Sequence, residues 1–200
     1  QGGNVRRHDE RRALAVIDIP IALPQADAFE PADAQAIRPF QISALTTQAV
    51  AAIRDARFSE FDSAQIAAFR TDQIVAFTQA QALRLSASQV RALTSDQLPA
   101  LQTADFAMFA KDRLVAILPD RISALTTAQL ATLEADELNA LITEQIAAIT
   151  TGQLVSLTSA QIGALDLLHL SALRTDQVAA LTSSQLDGLD AADITNLLPA

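Results

Sequence analysis

From residue 41 onward, apolar residues recur in two slots that repeat every eight residues without a slip. The first slot runs from Ile42, Val50, Phe58 and Ile66 to Leu186 and Ile194. The second, three residues later, runs from Leu45, Ile53, Phe61 and Phe69 to Leu189 and Leu197. All forty positions are apolar in a chain that is 50% apolar, so the regularity marks a repeat array. Spacings of three and five exclude a strand, in which apolar positions alternate by two. One continuous helix is excluded as well. Eight residues at about 100° each leave a drift of roughly 80° per repeat, so the stripe would wind around the helix and no face could be buried. The chain must break at each repeat and stack short helices.

The polar positions supply the breaks. Thr126 with Gln129 has capping-box spacing, a hydroxyl followed three residues later by Gln or Glu. Ser86 with Gln89, Thr94 with Gln97, Thr158 with Gln161 and Thr182 with Gln185 repeat it. The hydroxyl satisfies an orphan amide of the first turn, and the glutamine reaches back to the cap amide. Pro39 and Pro119 fall at the first helical position, where proline is tolerated. Asp72, Asp96, Asp112, Asp136, Glu144 and Asp176 fall in the first turn, the end that favours negative charge. Three residues break the rule: Leu118 and Ile142 stand in cap slots, and Pro99 lies inside its unit, where it costs a hydrogen bond.

A second period fixes the coil. The residue before the second apolar slot is alanine at 44, 52, 68, 76, 92, 100, 116, 124, 140, 148, 164 and 172. It is Glu60, Arg84, Met108, Thr132 and Ser156 at positions spaced by 24. The pattern fades at Ala180, Gly188 and Asn196. Three octads therefore make one turn. The expected fold is an all-α solenoid of short capped helices, with eight residues per unit and 24 per coil, in six to seven coils. Two sides need alanine for close packing, and the third tolerates bulk or charge. Residues 1–33 are expected to form a polar tail, with Arg6, Arg7, Arg11 and Arg12, followed by a segment at 13–23 that caps the first coil. Residues 34–200 form the array. A single octad cannot fold alone, because burying two large side chains gives roughly 3–6 kcal/mol while ordering eight residues costs about 12.

Composition narrows the function. A net charge of −9 argues against a nucleic-acid partner, which needs a basic face. There is no cysteine, hence no disulfide framework and no thiol chemistry. No run of eighteen apolar residues exists to span a membrane. The sequence starts without Met and without a signal peptide, and so reads as an excised fragment. The phenylalanines at 58, 61, 69, 77, 106 and 109 all fall in core slots. His8 and His169 lie far apart, and His169 falls in the glutamine slot, where a neutral imidazole can cap. The carboxylates mostly occupy cap and first-turn slots, and no acid/base pair, metal cage, phosphate loop or nucleophile elbow stands out. No catalytic residue, cofactor, metal or small-molecule ligand is expected. The candidate partner-facing residues are those of the permissive side: Glu60, Arg84, Met108, Thr132 and Ser156.

The runs ISALTTAQL at 122–130 and TTGQLVSLTSAQIGAL at 150–165 resemble the Ala-Leu-Thr-Gln-rich octapeptide tracts of very large surface or secreted proteins of proteobacteria, of adhesin-like and haem-utilisation-like type. The resemblance spans about residues 41–198 and carries no functional residues over. It implies a non-enzymatic spacer or stalk in a larger secreted or cell-surface protein, with a cytoplasmic location still open. Its partners would be proteins or neighbouring repeats of the parent chain. The alternative is a module that holds a protein or peptide on one side of the prism. The less regular units between 54 and 121 leave room there for a specialised surface.

Overall fold

The computed structural model describes residues 37–197. Within them the fold is all-helical, a succession of short helices three to seven residues long. The expected tail and capping segment at 1–33 lies outside the described residues.

Most helices start at the cap slot of the octad. Thr46, at φ −74° and ψ 156°, is extended and its side chain accepts from Ala49 N–H; Thr126, Thr150, Thr158 and Thr182 do the same for the residue three ahead. Extended backbone at the cap turns the chain, and the second core residue of the preceding unit is often extended too, as at Ile53 and Ile117. Pro39 and Pro119 open their helices. Pro99 has the expected cost. Its octad keeps the Thr94–Gln97 capping bonds but forms only a short 3₁₀ turn, Leu98–Ala100.

Helices 24 residues apart lie on one another. Ser63–Ala67 packs on Ala87–Ala92, which packs on Lys111–Ala116. Pro119–Ile122 packs on Thr143–Ala148, and Thr151–Val155 on Thr175–Ala180. These three columns are the three sides of the solenoid, with the caps at the corners. Both apolar slots point inward, and nearly all their residues are buried, from Ile42 and Leu45 to Leu170 and Leu173. The rings of Phe58, Phe61, Phe69 and Phe77 meet mostly edge-on, with Phe58 and Phe77 centroids 4.8 Å apart at 84°, while Phe58 and Phe69 are stacked. This is the geometry aromatic pairs prefer.

The alanine slot faces the coil beneath. Gly188 occupies that slot, and a Cβ built on it would lie 2.7 Å from the carbonyl oxygen of Ser159, in the helix one coil below. Gly163, on that lower helix, is closer still: a Cβ there would lie 2.3 Å from the Gly188 oxygen. Small residues are required because backbone meets backbone at this crossing.

Candidate functional site

Helices this short have few internal hydrogen bonds, since the first four amides and last four carbonyls of any helix lack intrahelical partners. The glutamine slot resolves both deficits at once. The Oε1 of Gln73 accepts from Arg70 N–H at 2.7 Å, closing the local start of its helix. Its Nε2 donates to the carbonyls of Ile42, at 2.8 Å, and Leu45, at 2.7 Å, at the same corner one coil below. Gln89 does this to Phe58 and Phe61, Gln97 to Ile66 and Phe69, Gln129 to Leu98 and Leu101, Gln145 to Leu114 and Ile117, and Gln185 to Leu154 and Leu157. Gln65 ties in the same way to Ile37, bringing that residue into the register. A ladder of buried amides thus runs up the corners and joins each coil to the next.

The sequence pattern identified only the local half of this role. The missed signal was chemical. A capping box accepts Glu as readily as Gln, yet from residue 41 the slot holds Gln twelve times and Glu once. Only an amide both accepts and donates.

The exceptions split the two functions. Glu137 accepts from Glu134 N–H at 2.9 Å, and as a carboxylate has no proton to donate. Arg121 donates Nη1 to Arg91 O at 2.7 Å and to Leu93 O. His169 is 4% exposed, and its Nε2 lies 2.7 Å from Leu141 O, to which it donates. Its Nδ1 lies 2.7 Å from Asp166 Oδ1. Asp166 is held below the usual carboxylate range chiefly by the His169 backbone N–H. The histidine therefore does bond a carbonyl, but across coils rather than at its own cap. Asp105, 4% exposed, has its carboxyl pushed up by burial. Gln102, in the cap slot of the same unit, reaches Val75 O and Phe77 O at 3.5 and 3.4 Å instead. Arginine in a cap slot provides another tie. Arg70 and Arg174 donate to Ser43 O and Ala147 O one coil below and pair with Asp72 and Asp176, whose carboxyls they hold down.

The five residues of the permissive side form a column, one per coil. Arg84, Met108 and Ser156 are exposed, while Glu60 and Thr132 are half-buried. The polar atoms of Arg84, Met108, Thr132 and Ser156 turn back onto the protein. Arg84 Nε pairs with Asp55 Oδ2 at 3.4 Å, and Met108 Sδ accepts from Gln79 Nε2 at 3.2 Å, both contacts to the coil below. The hydroxyls of Thr132 and Ser156 donate to the carbonyls of Gln129 and Gln153 at 2.7 and 2.6 Å. The column therefore has contacts between coils but no common chemistry facing outward. Among the described residues no three His, Asp or Glu side chains converge to hold a metal ion, and no helix is long and apolar enough to cross a membrane.

Comparison with known families gives one match. The family model described as the ALTTAQ repeat matches residues 130–167. The matched stretch has the helices Thr143–Ala148, Thr151–Val155 and Ser159–Gly163 at its centre. It covers well under half of the chain, and so places a repeat of ALTTAQ type within it. No curated protein matches the chain.

Proposed function

We propose that this chain is a non-enzymatic structural region, a rigid spacer in a larger secreted or cell-surface protein. The observation that carries the reading is the glutamine ladder: the buried polar groups are spent on joining coil to coil, and the chemistry that repeats every 24 residues faces inward. A side built to hold a repetitive ligand would repeat its chemistry outward, and the column of Glu60, Arg84, Met108, Thr132 and Ser156 changes character at every coil. The match to an ALTTAQ repeat supports a repeat region. The surface or secreted location follows from the resemblance of the octads to adhesin-like tracts.

The test is a thermal-shift screen of the chain against divalent cations, haem, nucleotides and oligonucleotides. A ligand that binds only the folded state raises the melting temperature in a saturable way. The expected outcome is no saturable shift. One reproducible, dose-dependent shift would replace the spacer with a binding protein.

A further inference from the structure

The corners that carry Leu118, Ile142 and Asp166 form one edge of the solenoid, and the local rules fail there in successive coils. Leu118 and Ile142 stand 24 residues apart in cap slots, and neither helix start has a side-chain cap bond. Asp166 restores the cap in the next coil, accepting from His169 N–H, but is followed by Leu167 and Leu168, which are 47% and 63% exposed. Ile142 is 41% exposed, and Val115, three residues before Leu118, is 37% exposed. The result is a strip of aliphatic surface along three coils, where the consensus would place threonine and small polar residues.

The start of the Thr143–Ala148 helix does not need the aliphatic side chain of Ile142. The cap slot is best filled by a hydroxyl or carboxylate, and Gln145 already accepts from Ile142 N–H at 2.9 Å whatever side chain residue 142 carries. Residues that break a local rule without a structural return, and expose contiguous apolar surface, mark an interaction site. Charge indicates what covers this one. Between Arg121 and Arg174 the sequence contains no Lys or Arg, yet it has Glu134, Glu137, Glu144 and Asp166, while Asp136 of the same stretch is paired with Lys111. Asp120 and Glu144, both exposed, lie two residues beyond Leu118 and Ile142 on the same edge. A second copy of the chain would bring these carboxylates against their own kind, which costs free energy at close range.

We propose that this edge docks a cationic amphipathic protein segment, with aliphatic side chains seated on Leu118, Ile142, Leu167 and Leu168 and Lys or Arg paired with Asp120 and Glu144. The proposal goes beyond the spacer reading, giving the rod one point of attachment. The spacer reading fails on a small-molecule, metal or nucleic-acid hit, whereas this proposal fails on the peptide data below.

The experiment titrates the full 200-residue chain with a synthetic Leu/Lys amphipathic peptide of about 18 residues and with a Leu/Glu peptide of the same pattern. Amide shifts and binding anisotropy are followed. The variants are Ile142→Thr/Leu168→Ala and, as a control at another corner, Val155→Ala, whose native side chain is also exposed. The expected result is saturable binding of the Leu/Lys peptide alone, with shifts confined to residues near 115–120, 142–144 and 166–168. Affinity should fall about tenfold in the double variant and stay unchanged in Val155→Ala. The melting temperature of the double variant should hold or rise, because Thr at 142 restores the cap, which separates lost binding from lost folding. No binding, equal binding by wild type and double variant, shifts elsewhere, or self-association through this edge would each overturn the proposal.

Discussion

At the scale of the residue, one side chain explains most of the polar core. A buried amide with one acceptor and two donated protons meets the needs of a corner where one helix begins and the coil below ends a helix. Each such bond contributes about 1 kcal/mol net, and leaving a buried group unpaired costs more. Asp105 is the clearest departure. It is buried in a glutamine slot, with its carboxyl pushed up by desolvation. A carboxyl raised in the native state makes the folded protein bind more protons than the unfolded one there. Stability from this site therefore increases as pH falls through the raised value and is lost at neutral pH. Asp105→Asn should stabilise the protein at neutral pH, and the gain should shrink in acid, where the native carboxyl is already neutral. Asp105→Gln should add about 1–2 kcal/mol at neutral pH by removing the buried carboxyl and supplying an amide donor to Ile74 O. Urea unfolding of the three proteins at neutral and acid pH measures this. A gain that grows in acid would contradict the assignment.

At the scale of the element, each helix is too short to persist alone, since isolated helices below about 12 residues are marginal in water. Packing on the coils above and below provides the stability, and the close crossings set which residues fit. Gly163→Ala places a Cβ against the Gly188 carbonyl, a backbone atom that cannot step aside, and should cost about 1–3 kcal/mol. Gly152→Ala meets nothing within 4 Å and should gain about 0.5 kcal/mol from helix propensity. Ala124→Leu and Ala148→Leu should behave like Gly163→Ala, while Met108→Leu should be nearly neutral. Thermal melts of the set decide it, and equal shifts in both classes would contradict a three-sided array with one permissive side.

At the scale of the whole molecule, the principal helix contacts among the described residues join elements 24 residues apart, in neighbouring coils, as in other solenoids. Six to seven coils at roughly 8–10 Å per helix layer give a rod some 55–65 Å long. Small-angle scattering should return a pair-distance distribution skewed toward long distances. A symmetric, globular distribution would rule out the rod.

The sequence by itself determined the octad, the caps, the burial of both apolar slots and the 24-residue coil. All four rest on short-range rules: where orphan amides find partners, which side of a short helix is apolar, and how often a small residue is demanded. Thr126, Gln129 and Leu130 announce these roles wherever they recur. What only the tertiary structure decided is what each slot meets across coils. The Nε2 of Gln73 finds Ile42 and Leu45 some thirty residues back, and no local rule names those carbonyls, because the acceptors are set by the pitch of the stack. For the same reason the sequence places His169 in the glutamine slot without naming the carbonyl in the coil below that it bonds, and Arg121 makes such a bond too. Ile142 was visible as an uncapped residue. That it shares an edge with Leu118, Leu167 and Leu168 follows from three octads closing one turn, which brings residues 24 apart to the same corner.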